Sequence, residues 1–312
     1  MGWTESGEAW GARATDWAYL IEPYARPAND ALFDQAGVGQ GTRLLDIACS
    51  SGYAASVAAG RGAEVAGLDA SEALIAIARA RAPGADFRVG DMFELPFADD
   101  RFDVATSFNG IWKGCEDALR EARRVVRPGG LIGFSFWGSP RRLGLLSFFA
   151  ALTELSPPGH VDATLNQADT GRPGVAEQML ADSGLQFAAR GTAQVVNEWP
   201  DLDLAVRALA ASGPSWPALH SAGYDQFAEV IREAIRPQSA DGLGVRIVSE
   251  FGWIIGQVPG TLLMIVVTAL RLVRGVDQHG SVCLLDRQEQ TRLEHHRRGP
   301  GVAARPGSGS AP

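Results

Sequence analysis

The chain has 312 residues and a mass of 33.1 kDa, and 46% of its residues are hydrophobic against 21% charged. This balance suits one large or two small globular domains and excludes a chain that is disordered or fibrous throughout. The formal charge of −8 and a pI near 5.2 argue against a surface that binds polyanions, so nucleic acid is not expected as a partner.

The cysteines and the N-terminal segment indicate the cellular compartment in which the protein is expected. Cys49, Cys115 and Cys283 are an odd number, lie far apart and form no Cys-x-x-Cys pair. They predict neither a disulfide framework nor a metal site, and a cytoplasmic location is expected. The opening MGWTESGEAWG lacks the basic and apolar segments of a secretory signal and matches the myristoylation pattern only in outline.

Residues 43–137 alternate short apolar runs with amphipathic stretches, a pattern typical of βαβ units in a mostly parallel sheet. A helix capped by Ser71 and stopped by Pro83-Gly84 places Leu74, Ile77, Ala78 and Arg81 on one face. Strands are predicted at 42–48, 63–68, 87–89, 102–108 and 131–137, with further helices at 53–59 and around Leu119 to Val126, the latter ended by Pro128-Gly129-Gly130.

The second half is predicted to continue with helices and two strands. Helices are expected at 143–155, 175–183, 205–211 and 224–235, strands at 186–196 and 245–258, and a loop at 156–172. Ahead of the first strand, Trp3, Trp10 and Trp17 recur at a spacing of seven. An aromatic stripe at helical spacing usually covers the protein's own core, but a helix in this position is able to lie over the open strand ends, where ligands bind.

The last 53 residues differ in charge from the rest. Residues 1–259 carry a formal charge of −11, whereas residues 260–312 carry +3. The apolar run Leu262–Val267 is too short to span a bilayer, so no membrane span is predicted, and it is a candidate surface for a homo-oligomer. Disorder is expected from Glu294 onward. We interpret residues 260–312 as a partly disordered, dispensable C-terminal extension.

Small or acidic residues follow four of the predicted strands. They therefore fall at the carboxyl ends of strands in one sheet, the edge where open α/β sheets bind ligands. Small residues let a backbone approach a ligand, and a carboxylate at a strand end can accept hydrogen bonds from both ribose hydroxyls. The four groups are Asp46 with Gly52, Asp69, Gly90-Asp91-Met92, and Ser107-Phe108-Asn109.

Four longer segments carry these groups: LLDIACSSGYAA, VAGLDASEALIAIARARAP, FRVGDMFELPFADDRFDVATSFNGIW and ALREARRVVRPGGLIGFSFW. In this order they resemble the motifs of class I S-adenosylmethionine-dependent methyltransferases, and most nearly the type 11 group, which includes quinone-biosynthesis and other small-molecule enzymes. The resemblance covers roughly residues 10–259. It implies a Rossmann-like α/β fold with a mostly parallel seven-stranded sheet, helices on both faces, an N-terminal helical lid and a helical insertion after strand 5.

The resemblance also implies a cofactor, S-adenosylmethionine, with S-adenosylhomocysteine as product, and a set of cofactor-binding residues. Asp46 and the loop Ala48, Cys49, Ser50 and Gly52 would lie by its methionine part, Asp69 with Ala70 by the ribose, Asp91 and Met92 by the adenine, and Asn109 near the methionine end.

Two positions depart from the family pattern. The family loop usually reads Asp-x-Gly-Cys-Gly-x-Gly, whereas Ala48 and Ser50 stand here in place of glycines. If these positions require a positive φ, each side chain costs about 1 kcal/mol, which would weaken cofactor affinity.

Methyl transfer from a sulfonium needs alignment and exclusion of water more than a nucleophilic side chain. An acceptor that must lose a proton would use a general base, for which His160, ahead of His220, is the candidate. The predicted acceptor pocket combines leading and inserted aromatic residues. These are Trp10, Trp17, Tyr24, Phe148 and Phe149.

The sequence thus predicts a methyltransferase domain at 1–259, with a lid at 1–38 and an insertion at 139–172 over the acceptor site. Two other functions stay open: an NAD(P)-dependent oxidoreductase, although that class expects GxGxxG, and a non-catalytic, cofactor-binding regulatory domain. The small-molecule acceptor is not readable, and transfer to oxygen, carbon or nitrogen stays open.

Overall fold

The computed structural model describes residues 2–157 and 169–260. His160, part of the predicted 156–172 loop and the extension after Gly260 lie outside the described residues. Within those residues the strands form one sheet. The strands are β1 (Arg43–Ile47), β2 (Glu64–Asp69), β3 (Asp86–Val89), β4 (Phe102–Phe108), β5 (Val126–Trp137), β6 (Gln186–Trp199), β7 (Ser239–Ala240) and β8 (Gly244–Gln257).

The order of the long strands in the sheet is β3-β2-β1-β4-β5-β8-β6, and the two-residue β7 pairs with β8. The pairs from β3 to β5 are parallel, whereas β8 runs antiparallel to both of its long neighbours. Among the described residues this confirms the predicted mostly parallel sheet of seven strands, with β7 as a short addition. The carboxyl ends of β1 to β5 therefore share one edge.

The helices cover both faces of the sheet and one end of it. Alternate strand residues face opposite sides: Leu44 packs into one core cluster and Leu45 into another. The described α-helices are α1 (Trp3–Gly11), α2 (Ala14–Leu20), α3 (Arg26–Gln35), α4 (Tyr53–Gly60), α5 (Glu72–Arg81), α6 (Glu116–Val125), α7 (Leu146–Leu155), α8 (Val175–Asp182), α9 (Leu202–Leu209), α10 (Trp216–Ala222) and α11 (Tyr224–Ile235).

The two faces and the cap have separate cores. Helices α3, α4 and α5 contribute to the Leu44 cluster, whereas α6 and α8 contribute to the Leu45 cluster. A further cluster joins α7, which follows β5 as predicted, to α9, α10 and α11, which connect β6 to β7 and β8. Phe148, Leu209 and Phe227 are buried in it. The helical cap is thus built from two separate segments of the chain.

One local prediction is wrong, and one helix was missed. The helix before β5 ends at Val125 rather than at Pro128-Gly129-Gly130, because Val126 already has extended backbone (φ −93°, ψ 130°) and pairs with Phe102. Gly129 instead takes a positive φ of 80° within β5, and its N–H donates to the Val258 carbonyl at 2.9 Å. Helix α10 was not predicted. No helix among the described residues combines the length and apolar character needed to span a membrane.

Candidate active site

A cavity of about 390 Å³ lies at the carboxyl ends of β1 to β5. Most of the predicted site residues line it. From the cofactor set these are Asp46, Ala48, Cys49, Ser50, Asp69, Ala70, Asp91, Met92 and Asn109, and from the acceptor set Trp10, Trp17, Tyr24, Phe148 and Phe149. Gly52 and His220 do not line it, and His160 is outside the described residues.

Asp46, near the end of β1, is a buried carboxyl group with one protein partner. The Thr106 hydroxyl of β4 donates to its Oδ1 at 3.0 Å. The pKa of Asp46 is raised to about 8, mainly by burial and also by the negative charges of Glu22 and Asp69, although the Thr106 hydrogen bond lowers it. The protonation of Asp46 is therefore sensitive to a positive charge placed in the cavity.

The loop after β1 contains Ala48 and Ser50, the two residues at which the sequence departs from the pattern it resembles. Ala48 has a φ of 56° and Ser50 a φ of 54°, so both adopt the left-handed backbone that favours glycine. The loop keeps this shape because the Cys49 N–H donates to the Leu68 carbonyl at 3.0 Å and the Gly52 N–H to the Cys49 carbonyl at 2.9 Å. Both residues therefore adopt a backbone conformation that is typical of glycine, and the backbone is strained at each of them.

Gly52 has a packing role instead of a place on the cavity wall. Its φ is 72°, and an added Cβ would lie 2.7 Å from the Ala78 Cβ of α5. The glycine lets the start of α4 approach α5 closely.

Asp69, the last residue of β2, accepts two main-chain hydrogen bonds. The Ser50 N–H donates to Oδ2 and the Ser71 N–H to Oδ1, both at 2.8 Å. Burial raises the pKa of Asp69 to about 6, since it outweighs these two hydrogen bonds, which lower it. The carboxyl group is held in one orientation by the loops after β1 and β2.

The ends of β3 and β4 complete this side of the cavity. Asp91 Oδ1 accepts from the Phe93 N–H at 2.9 Å, which fixes the turn that presents Met92. Asn109 has a φ of 56°, and its N–H lies 3.1 Å from Ser135 Oγ and 3.2 Å from the Ser135 carbonyl. Apolar and acidic groups from four neighbouring loops thus face one space.

The N-terminal helices pack directly on these loops. Trp17 Nε1 donates to Ser50 Oγ at 2.6 Å, and its ring meets Trp10 edge to face at 4.8 Å. An added Cβ on Gly7 would lie 2.2 Å from the Ala70 carbonyl oxygen, so only glycine permits this approach of α1 to the loop after β2.

A largely buried ion pair beneath this cover was not predicted. Arg81 Nη1 donates to Glu22 Oε2 at 2.8 Å and to Ser51 Oγ at 2.6 Å, and the Ser51 hydroxyl also donates to Glu22. Arg81 Nη2 donates to the Ala18 carbonyl at 3.0 Å. Burial raises the pKa of Glu22, although Ser51 and Arg81 lower it. The signal in the sequence was a charged residue, Arg81, on the apolar face of a helix.

Aromatic rings form the other side of the cavity. Trp137, at the end of β5, meets Phe149 at 5.4 Å and Phe251 at 4.8 Å, both edge to face, and Phe148 lies 5.2 Å from Phe149. Asn29 of α3 and Asn197 of β6 also line this side. Sequence reasoning missed both because neither lies in a motif.

Among the described residues, the second candidate base, His220, is poorly placed, and the two cysteine thiols are protonated. His220 is exposed on α10, and its Nδ1 lies 2.9 Å from the Trp216 carbonyl of the same helix. Burial raises the pKa of the Cys49 and Cys115 thiols, both on the cavity wall, so they stay protonated. Within the described residues, no histidine, lysine or arginine lines the cavity.

Part of the sequence matches a known protein family and individual proteins. Residues 45–134 match the family model of the type 11 methyltransferase domain. An uncharacterised Mycobacterium tuberculosis protein is 36% identical over 128 residues, which are 39% of this chain and 47% of that protein. A demethylmenaquinone methyltransferase of Renibacterium salmoninarum is 36% identical over 109 residues, or 34% of this chain and 46% of that enzyme. The chain thus spans about half the length of the curated relatives it matches.

The fold has solved counterparts. A Bacillus halodurans protein assigned to the methyltransferases superposes with a TM-score of 0.51 at 17% identity, covering 74% of this chain and 98% of that one. At this identity the comparison shows a shared fold.

Proposed function

We propose that this chain, which carries a type 11 methyltransferase domain over residues 45–134, transfers a methyl group from S-adenosylmethionine to an oxygen, carbon or nitrogen of a small molecule. The observation that carries the proposal is the meeting of Asp46, Asp69, Asp91 and Asn109, from four successive strand ends, on one cavity. The family resemblance predicted these residues in this order.

The charge of the cavity fits this cofactor. Its described lining contains four carboxyl groups, those of Glu22, Asp46, Asp69 and Asp91, and no cationic side chain. S-adenosylmethionine carries a sulfonium and an ammonium group, which such a lining attracts. Asp69 keeps lone pairs on both oxygens for a ribose diol, and Met92 offers an apolar surface to the adenine.

The chain's own part in the reaction is to orient and to exclude water. When bound, the cofactor supplies a methyl group already activated by its positive sulfur. The loop from Ala48 to Ser51 and Asp69 would hold the cofactor, while Trp10 and Trp17 close the cavity over that loop. Alignment of the acceptor in line with the methyl group then supplies most of the rate enhancement.

For acceptors that must lose a proton, we retain His160 as the proposed general base. A His160→Ala variant is expected to lose the acidic limb of the kcat/KM profile while keeping cofactor affinity. An unchanged profile would remove His160 from the mechanism.

Calorimetric titration with S-adenosylmethionine and S-adenosylhomocysteine, with NADH and NADPH as controls, tests the cofactor. We expect the first two to bind, and an Asp69→Ala variant to lose both. Binding of NADH or NADPH alone would favour the oxidoreductase alternative. Release of S-adenosylhomocysteine in the presence of acceptors separates an enzyme from a non-catalytic domain, which binds the cofactor without turnover.

A further inference from the structure

The aromatic side of the cavity contains two buried carboxamides. Asn29 on α3 is 2% exposed and Asn197 on β6 is 6% exposed, and both line the cavity. Two other polar side chains on this wall are already engaged: the Tyr24 hydroxyl donates to the Glu198 carbonyl, and Ser212 Oγ donates to the Leu209 carbonyl at 2.9 Å. Asn29 and Asn197 are therefore two carboxamides that this wall leaves available to a ligand.

Neither carboxamide has a partner within the described part of the chain. Asn29 Oδ1 is buried without a hydrogen bond, and no described residue bonds to the Asn197 side chain. A buried polar group without a partner destabilises the fold by about 1–3 kcal/mol, and nearly all such groups in native proteins are satisfied. Asn29 contributes one such buried oxygen, and Asn197 lines the same cavity, so together they indicate a ligand that completes their hydrogen bonds.

The charge on this wall restricts the class of ligand that it can bind. The described lining residues from α3, α7, β5, β6 and β8 include no charged side chain, and the four carboxyl groups come from the opposite, cofactor side. An anionic acceptor would lose its hydration without meeting a cationic side chain among the described residues of this wall. A cationic acceptor would find no carboxylate on this wall. The wall therefore suits an uncharged molecule.

We propose that Asn29 and Asn197 determine acceptor specificity by hydrogen-bonding the polar group of an uncharged, mostly aromatic acceptor. Each carboxamide offers both a donor and an acceptor, so a hydroxyl or carbonyl group satisfies it. The rings of Trp137, Phe149 and Phe251 would pack on the apolar body. This inference rests on the proposed methyl transfer, because it assigns this wall to the acceptor.

Calorimetry on the full chain saturated with S-adenosylhomocysteine tests the proposal with four probes of similar size: 2-naphthol, naphthalene, naphthalene-2-carboxylate and 2-naphthylmethylammonium. We expect 2-naphthol to bind at least about tenfold more tightly than either ion, the equivalent of one hydrogen bond. The variants Asn29→Leu and Asn197→Leu should each weaken 2-naphthol binding by about tenfold and leave naphthalene unchanged.

The variants have a second readout that needs no acceptor. Leucine replaces an unsatisfied amide by an apolar group of similar volume, so Asn29→Leu should unfold at a higher urea concentration than the parent chain. Trp253→Phe is the control, because Trp253 Nε1 is also buried without a partner but does not line the cavity. It should shift the urea midpoint without changing 2-naphthol affinity.

Equal binding of 2-naphthol and either ion overturns the proposal. So does unchanged 2-naphthol affinity in both leucine variants, or no 2-naphthol binding to a chain that binds S-adenosylhomocysteine. Failure of S-adenosylhomocysteine itself to bind overturns the proposed function instead, and the two failures are thereby distinguished.

Discussion

Ser50 and Asp69 join the loops after two neighbouring strands, since the Ser50 N–H donates to Asp69 Oδ2 at 2.8 Å. The second oxygen of Asp69 accepts from the Ser71 N–H at the same distance. One carboxyl group therefore sets the position of both loops at this edge of the sheet. Its orientation is fixed before any ligand enters.

Asp69→Asn is expected to weaken S-adenosylmethionine binding by at least about tenfold. An amide has one acceptor oxygen, so its NH₂ group must face one of the two main-chain N–H groups and displace a loop. Calorimetry measures the effect. The control is Asp225→Asn, which removes one negative charge at an exposed position. Equal affinities for the two variants would contradict the assigned role.

Asp46 makes the stability of the chain dependent on pH. Its pKa of about 8 lies above the ordinary value of 3.8, so between these values the folded chain holds a proton that the unfolded chain has lost. The free energy of unfolding therefore falls as pH rises through this window. Asp46→Asn cannot ionise and still accepts from Thr106.

The variant is thus expected to exceed the parent chain in stability by more than about 1 kcal/mol near pH 8, and by little near pH 4. Urea unfolding at both pH values measures this difference. The same difference at both values would show that the Asp46 carboxyl group does not titrate abnormally.

Ala48→Gly is expected to stabilise the chain by a few tenths to about 1 kcal/mol. Relief of the left-handed strain at φ 56° is partly offset by the greater entropy of glycine in the unfolded chain. The control is Ala76→Gly at an exposed site within α5, which should destabilise by about 1 kcal/mol. Thermal unfolding of both variants checks the opposite signs, and destabilisation by Ala48→Gly would refute the strain.

Gly7→Ala should displace α1 from the loop after β2. Its Cβ would stand 2.2 Å from the Ala70 carbonyl oxygen, a main-chain atom that cannot move aside cheaply. Weaker S-adenosylmethionine binding and faster proteolysis of the N-terminal segment are expected. Gly60→Ala, in α4 with open space around its Cβ, should leave both unchanged. Equal results for the two variants would argue against close packing of α1.

Arg81→Met should destabilise the chain by about 3 kcal/mol, because it leaves the Glu22 carboxylate buried without a cation. Glu22→Gln in the same chain should restore most of that loss. Urea unfolding of the two single variants and the double variant gives the coupling energy. Additive effects would show that the pair contributes little to holding the N-terminal helices.

The sequence by itself determined the alternation of strands and helices and the residues that meet at the strand ends on one side of the cavity. Alternating strands and helices dictate a parallel sheet, and a parallel sheet brings its carboxyl ends to one edge, so Asp46, Asp69, Asp91 and Asn109 were predictable from their positions alone. The sequence also showed that Ala48 and Ser50 stand where the resembled pattern has glycine. A positive φ is a property of a single residue, so this source of strain could be predicted without the tertiary structure.

Only the tertiary structure decided the rest. Glu22 meets Arg81 across 59 positions of sequence, and Asn29 shares a cavity with Asn197 from a different half of the chain. No local pattern encodes such meetings, because they depend on how α3, β6 and the cap helices pack together. The side of the cavity formed by the strand ends repeats one rule of strand geometry, whereas its aromatic side is set by packing between distant segments.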